Sequence, residues 1–157
     1  MRKLTKNGIH VGNFENKYGS NNPIYRLLMA NFLRTIKHLL VVHRQDIHTA
    51  CECGCGEGEL SKYVLSFMDI EEFKAFDFSE EIISVAKENI KDKAINFYTK
   101  NIYDVDSKEN AALIICCEVL EHLEYPERVL EKLSALDAKY YLFSVPDEPK
   151  WRMLNIL

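Results

Sequence analysis

The sequence predicts an α/β protein: an open, doubly wound parallel sheet with helices on both faces. Three observations predict it. Short apolar runs of strand length alternate along the chain with segments of helical periodicity, an order that calls for parallel strands joined by crossover helices. One run, Ala111 to Cys117, is apolar throughout, as a central parallel strand buried on both faces requires. A stretch from Cys51 to Leu60, with Gly54, Gly56 and Gly58 at alternating positions, separates a strand-like run from a helix-like one. A strand, a glycine loop and a helix form a cradle, because glycine lets the backbone turn sharply and approach a ligand closely, and a helix start presents unpaired N–H groups.

In order, residues 1–22 are polar and show neither periodicity, so they read as an arm or lid ahead of a domain spanning residues 23–157. Pro23 suits the first turn of a helix whose stripe is Leu28, Met29, Phe32, Leu33, Ile36, Leu39 and Leu40. Strand one is expected from Asp46 to Cys53, and a helix from Glu59 to Phe67. Glu72 to Phe76 reads as strand two, ending at Asp77; Ser79 is the expected cap of a helix reaching about Asn89. Strand three is expected from Ala94 to Tyr98, before a loop from Lys100 to Asp106. Strand four is Ala111 to Cys117, a helix follows from Pro126 to Leu136, and Lys139 to Val145 is strand five, stopped by Pro146.

A chain of 157 residues, 47% apolar and 28% charged, describes one soluble globular domain rather than a disordered segment. The net charge of -4 supplies no general basic field, so nucleic acid is disfavoured as a partner. There is no signal peptide and no apolar run near 18 residues, and the cysteine count of five is odd; a cytoplasmic, reducing setting without membrane contact is expected. Zinc on Cys51, Cys53 and Cys55 is the sharper alternative, but it lacks a second ligand pair, so no metal is expected.

In open parallel sheets ligands bind beyond the carboxyl ends of the strands, and the polar punctuation falls there: Glu52 to Gly58, Asp77, Asn101 and Glu118. Asp77, 19 residues after Gly58, stands where a carboxylate accepts hydrogen bonds from ribose hydroxyls. If a helical turn begins after strand four, Glu118, Glu121 and His122 share one face, within reach of one cation or one nucleophile.

The pattern Glu52-x-Gly54-x-Gly56-x-Gly58 resembles the first motif of class I S-adenosylmethionine-dependent methyltransferases of the type 11/12 kind. It departs from the dinucleotide fingerprint, whose third glycine is replaced by Glu59. Phe76-Asp77-Phe78-Ser79-Glu80-Glu81 is similar to the second motif, and Cys116 to Leu123 resembles the strand-four signature of small-molecule methyltransferases such as those of ubiquinone biosynthesis. The set Glu118, Glu121, His122 also looks like the metal-binding part of small-RNA 2'-O-methyltransferases, although no further histidine follows.

The resemblance implies a Rossmann-like sheet of order 3-2-1-4-5 that transfers a methyl group from S-adenosylmethionine to a small-molecule acceptor, leaving S-adenosylhomocysteine. It implies that Cys53, Gly54 and Gly56 admit the methionine end, that Glu52 orders the loop or meets the amino group through water, and that the backbone near Cys117 faces the same part. Asp77 would hold ribose, Phe78 and Ile102 would flank adenine, and Asn101 would read its amino edge. His122 or Glu118 is the implied base, and Tyr18 would close over the site.

The class has seven strands where five are expected here, so the final hairpin is expected to be missing. Strand five then becomes an edge to be covered by residues 151–157 or by a second copy in a homodimer. The rival readings are an NAD-linked oxidoreductase on the same sheet and a non-catalytic S-adenosylmethionine-binding module.

Overall fold

The computed structural model describes residues 5–6, 9–10 and 23–146. Its centre is a five-stranded, all-parallel sheet: β1 (Thr49–Cys53), β2 (Glu72–Asp77), β3 (Ile95–Thr99), β4 (Leu113–Cys117) and β5 (Tyr140–Ser144). The spatial order is β3-β2-β1-β4-β5, which is the expected 3-2-1-4-5. The helices are α1 (Pro23–Val41), α2 (Glu59–Leu65), α3 (Glu80–Asn89) and α4 (Pro126–Ser134). Where the arm was read as without strand character, Thr5–Lys6 pairs antiparallel with Ile9–His10. The expected closure by Tyr18 and the cover of residues 151–157 lie outside the described residues.

Strand alternation divides the core into two layers. On one face, Ala50 of β1, Phe73 and Ala75 of β2, Phe97 of β3 and Leu113 and Ile115 of β4 pack under Ile36 and Leu40 of α1, Leu60 and Val64 of α2, and Ile83 and Ala86 of α3. On the other, Cys51, Cys53, Phe76, Ile114 and Cys116 pack against Val129 and Leu133 of α4, and against Ile102, Val105 and Leu120. The continuous apolar run of β4 is thereby explained, since its residues are buried whichever way they point.

The differences from the expected boundaries have local causes. β1 begins at Thr49 rather than Asp46, because Asp46 closes a turn on His43 and its carboxylate takes Lys139 Nζ at 2.8 Å and Tyr140 Oη at 3.1 Å. Leu39, expected on the buried stripe of α1, is exposed. The loop after β3 contains two 3-10 turns, Ile102–Asp104 and Ser107–Glu109. They are organised by the buried Glu109 carboxylate, which accepts from Lys100 Nζ at 2.7 Å, Tyr98 Oη at 3.0 Å and Asp106 N–H at 3.0 Å. Among the described residues no helix is long and apolar enough to cross a membrane.

Leu113 is fully buried in β4, the strand between β1 and β5. Leu113→Ala is expected to lower the free energy of unfolding by about 2–5 kcal/mol through lost transfer energy and the cavity left behind, read as a lower urea midpoint at unchanged slope.

Candidate cofactor-binding site

The carboxyl ends of β1 to β4 converge on the glycine loop. Gly54 and Cys55 both donate their N–H to the Phe76 carbonyl, at 2.8 and 2.9 Å, so the loop continues the β1–β2 ladder by one turn. Gly56 N–H then donates to Asp77 Oδ2 at 3.1 Å, and Ser79 N–H to Asp77 Oδ1 at 3.2 Å. Lys100 N–H donates to the Asp77 carbonyl at 2.9 Å, tying in the end of β3. Gly54 sits at φ +82°, and a Cβ there would lie 2.5 Å from Cγ2 of Val119, so the segment after β4 presses directly on the loop. Gly56, at φ +53°, has nothing within 4 Å of where a Cβ would be; the space over it is open to a ligand.

Two buried carboxylates, Glu52 at the end of β1 and Asp77 at the end of β2, flank the loop in sequence and structure. Glu52 is 4% exposed and its Oε2 accepts the hydroxyl of Ser61, itself fully buried in the first turn of α2. Burial pushes the Glu52 carboxyl up to about 8, and the neighbouring Asp77 adds to the rise, while the hydrogen bonds from Ser61 oppose it. Asp77 is 8% exposed and also raised by burial, against the N–H groups of Ser79, Gly56 and Phe78. A carboxylate has about four acceptor positions, so Asp77 keeps capacity for hydroxyl donors beyond its backbone partners. The loop is thus no open cradle of N–H groups for a phosphate: Gly56 N–H already has its anion in Asp77.

The other expected residues divide. Phe78 follows Asp77 and is half-buried at the rim. Asn101 caps the 3-10 turn, its Oδ1 accepting Tyr103 N–H at 3.0 Å, which leaves one lone pair of that oxygen and the Nδ2 donors for a ligand. Ile102 is 4% exposed and its side chain belongs to the core, leaving its main chain for contact. The Cys53 thiol is fully buried on the α4 face and driven well up by Cys51 and by burial. Cys117 is half-buried, its thiol pushed up to about 12 by burial. The zinc alternative fails because β1 ends at Cys53: Cys51 and Cys53 share one core layer, and beyond the left-handed Gly54 the side chain of Cys55 enters the other.

The segment after β4 also differs from the expected helical turn. Glu118 adopts φ 57°, in the left-handed region, and the 3-10 turn begins only at Leu120, so Glu118 does not share a helical face with Glu121 and His122. Instead its carboxylate accepts the Ser144 hydroxyl at 2.8 Å, and its N–H donates to the Ser144 carbonyl at 3.1 Å. Glu121 and His122 approach at 3.7 Å. Among the described residues no group of three or more His, Cys, Asp or Glu is placed to hold a metal ion. Sequence reading missed Ser61, Ser144 and Val119. Ser61 alone left a signal there, a hydroxyl interrupting the apolar face that Leu60 and Val64 make on α2.

Glu52 gives the site a pH signature. Its value of about 8 lies above the ordinary 4.5, so between those limits the folded chain keeps a proton that the unfolded chain has released, and stability falls as pH rises through that window. Glu52→Gln removes this loss. Thermal unfolding across pH is expected to find the two chains alike below about pH 4.5 and the variant more stable by about 5 °C or more above pH 8. Asp77 titrates in both chains and cancels; a difference that does not depend on pH would refute the assignment.

A family profile described as a methyltransferase domain matches residues 51–136, more than half of the chain. The mitochondrial ubiquinone biosynthesis O-methyltransferase of Candida albicans is 32% identical over 102 residues, covering 60% of this chain and 31% of that protein. The chain therefore spans about a third of the length of that curated relative. Among solved structures, the methyltransferase domain of bacterial CtHen1 superposes with a TM-score of 0.67 at 21% identity, covering 77% of this chain and 67% of that one. The magnesium protoporphyrin IX methyltransferase of Synechocystis PCC 6803, solved with bound S-adenosylhomocysteine, gives 0.58 at 18% identity, with coverage of 76% and 58%. With this sheet order, this loop and that match, the chain belongs to the methyltransferase domain family and has the fold of S-adenosylmethionine-dependent methyltransferases.

Proposed function

We propose that the chain binds S-adenosylmethionine over Gly56 and transfers its methyl group to a small-molecule acceptor, leaving S-adenosylhomocysteine. The observation that carries this reading is the pair of buried carboxylates, Glu52 and Asp77, around a glycine loop whose Gly56 N–H is already paired. The acceptors of Asp77, and a Glu52 carboxyl that a neighbouring cation would ionise, suit a cationic ligand bearing ribose hydroxyls. With its Gly56 N–H already given to Asp77 the loop has less to offer the pyrophosphate of NAD, so the oxidoreductase alternative loses support.

The cofactor supplies an electrophilic methyl group; the chain's part is to bind, orient and exclude water. Asp77 accepts from the ribose hydroxyls, Phe78 offers an apolar surface to the base, Asn101 its amide, and Glu52 its charge to the amino group. His122 and Glu118, with Glu118 held by Ser144, are the groups proposed to orient the acceptor or take its proton. The names of the similar ubiquinone and magnesium protoporphyrin IX enzymes support a small molecule as acceptor. All five thiols are free and four are buried, which supports a reducing, cytoplasmic setting.

Isothermal titration with S-adenosylmethionine, S-adenosylhomocysteine and NAD tests the reading. Micromolar binding of the first two, none of NAD, and a loss of at least about tenfold (roughly 1.4 kcal/mol) in Asp77→Ala are expected. Binding without turnover on any acceptor would favour the non-catalytic module; preference for NAD would sink the proposal. A second copy along β5 is supported by the strand's single neighbour among the described residues and by exposed Tyr141, Phe143 and Val145. Sedimentation is expected to show a dimer that Phe143→Lys returns to monomer.

A further inference from the structure

We propose that Ser61 is a positioning residue of this site, holding the Glu52 carboxylate through its hydroxyl so that Glu52 meets the ligand's cationic amino group as an anion. The inference rests on the cofactor reading above, but its basis is the surroundings of Glu52. Ser61 is fully buried between Leu60 and Val64 on the core side of α2, where alanine would fill nearly the same space, and its hydroxyl donates to Glu52 Oε2. Among the described residues, the other titratable groups that feel Glu52 are Asp77 at the end of β2, Cys53 and Cys55 on β1 and the loop, and Cys116 and Cys117 on β4. All are acids, and none lends Glu52 positive charge. The interactions that favour its ionised form, one from a side chain and one from the backbone, both come from Ser61. A carboxylate in this position without that hydroxyl would retain its proton further into the alkaline range and present a neutral group to the ligand.

The test separates Ser61's hold on Glu52 from the cofactor reading. In the ligand-free chain, the Glu52 carboxyl carbon is followed by NMR against pH in wild type, Ser61→Ala and Ser61→Cys, with Glu52→Gln to assign the signal. Ser61→Ala is expected to raise the Glu52 midpoint by about one pH unit, with Ser61→Cys, a weaker donor, in between. Calorimetry with S-adenosylmethionine across pH is expected to show Ser61→Ala binding about tenfold more weakly at neutral pH, its pH profile displaced upward by the same interval. In the Glu52→Gln background, Ser61→Ala is expected to cost nothing further, because the hydroxyl acts through the carboxylate. An unchanged Glu52 midpoint and pH profile would overturn the proposal, as would an equal loss of affinity in both backgrounds, the mark of a merely structural serine. A folded wild type that binds neither S-adenosylmethionine nor S-adenosylhomocysteine overturns the cofactor reading and the ligand half of this one, and the Glu52 titration then judges the Ser61 hold alone.

Discussion

The structure depends on the way the glycine loop is strapped to β2. The Phe76 carbonyl accepts two successive amide protons, from Gly54 and Cys55, and the next residue of β2, Asp77, accepts a third from Gly56. These three bonds turn a chain reversal into an extension of the sheet, and they decide where the first turn of α2 starts. Since Val119 leans on Gly54 from the β4 side, the loop is clamped between the two neighbours of the central strand. The candidate ligand-contacting residues stand at strand ends and on a loop tied to the sheet by backbone hydrogen bonds, the arrangement that precise positioning demands.

The electrostatics follow from that strap. A loop whose amide proton is satisfied by a carboxylate of its own chain cannot also neutralise an incoming anion. It offers acceptor oxygens from Asp77 and a buried Glu52 carboxyl that burial keeps protonated up to about pH 8, a group that a positive partner would favour in its ionised form. In a strand–loop–helix plan whose N–H groups can receive phosphates, the Gly56 N–H is here already taken by Asp77, a residue at a strand end rather than a glycine.

Most of the fold was open to reading from the sequence, because each strand is bounded by a polar residue or proline and each helix has a distinct start, Pro23, Glu59, Ser79 with Glu80, and Pro126. The placement of Glu52, Gly54, Gly56 and Asp77 was equally legible, since all are fixed by strand ends. Side-chain commitments were not. The capping bond of Asn101, the burial of Ile102 and the left-handed backbone of Glu118 depend on neighbours far along the chain or on torsions that residue type does not announce. The split of the cysteines was hidden for a related reason: alternation alone would put Cys51, Cys53 and Cys55 on one face, and the end of β1 at Cys53 with the left-handed turn at Gly54 sends Cys55 to the other.

Glu118 carries one more consequence. A glutamate at φ 57° holds its backbone against intrinsic preference, and what holds it is Ser144, the last residue of the outer strand, through one bond to its carboxylate and one to its amide. The turn after β4 and the outer strand among the described residues, β5, are therefore one mechanical unit. A chain that zips onto β5, or a load that draws it away, tugs the same two bonds, so that the posture of a single strained glutamate, next to the Val119 that leans on the glycine loop, follows what happens to that strand.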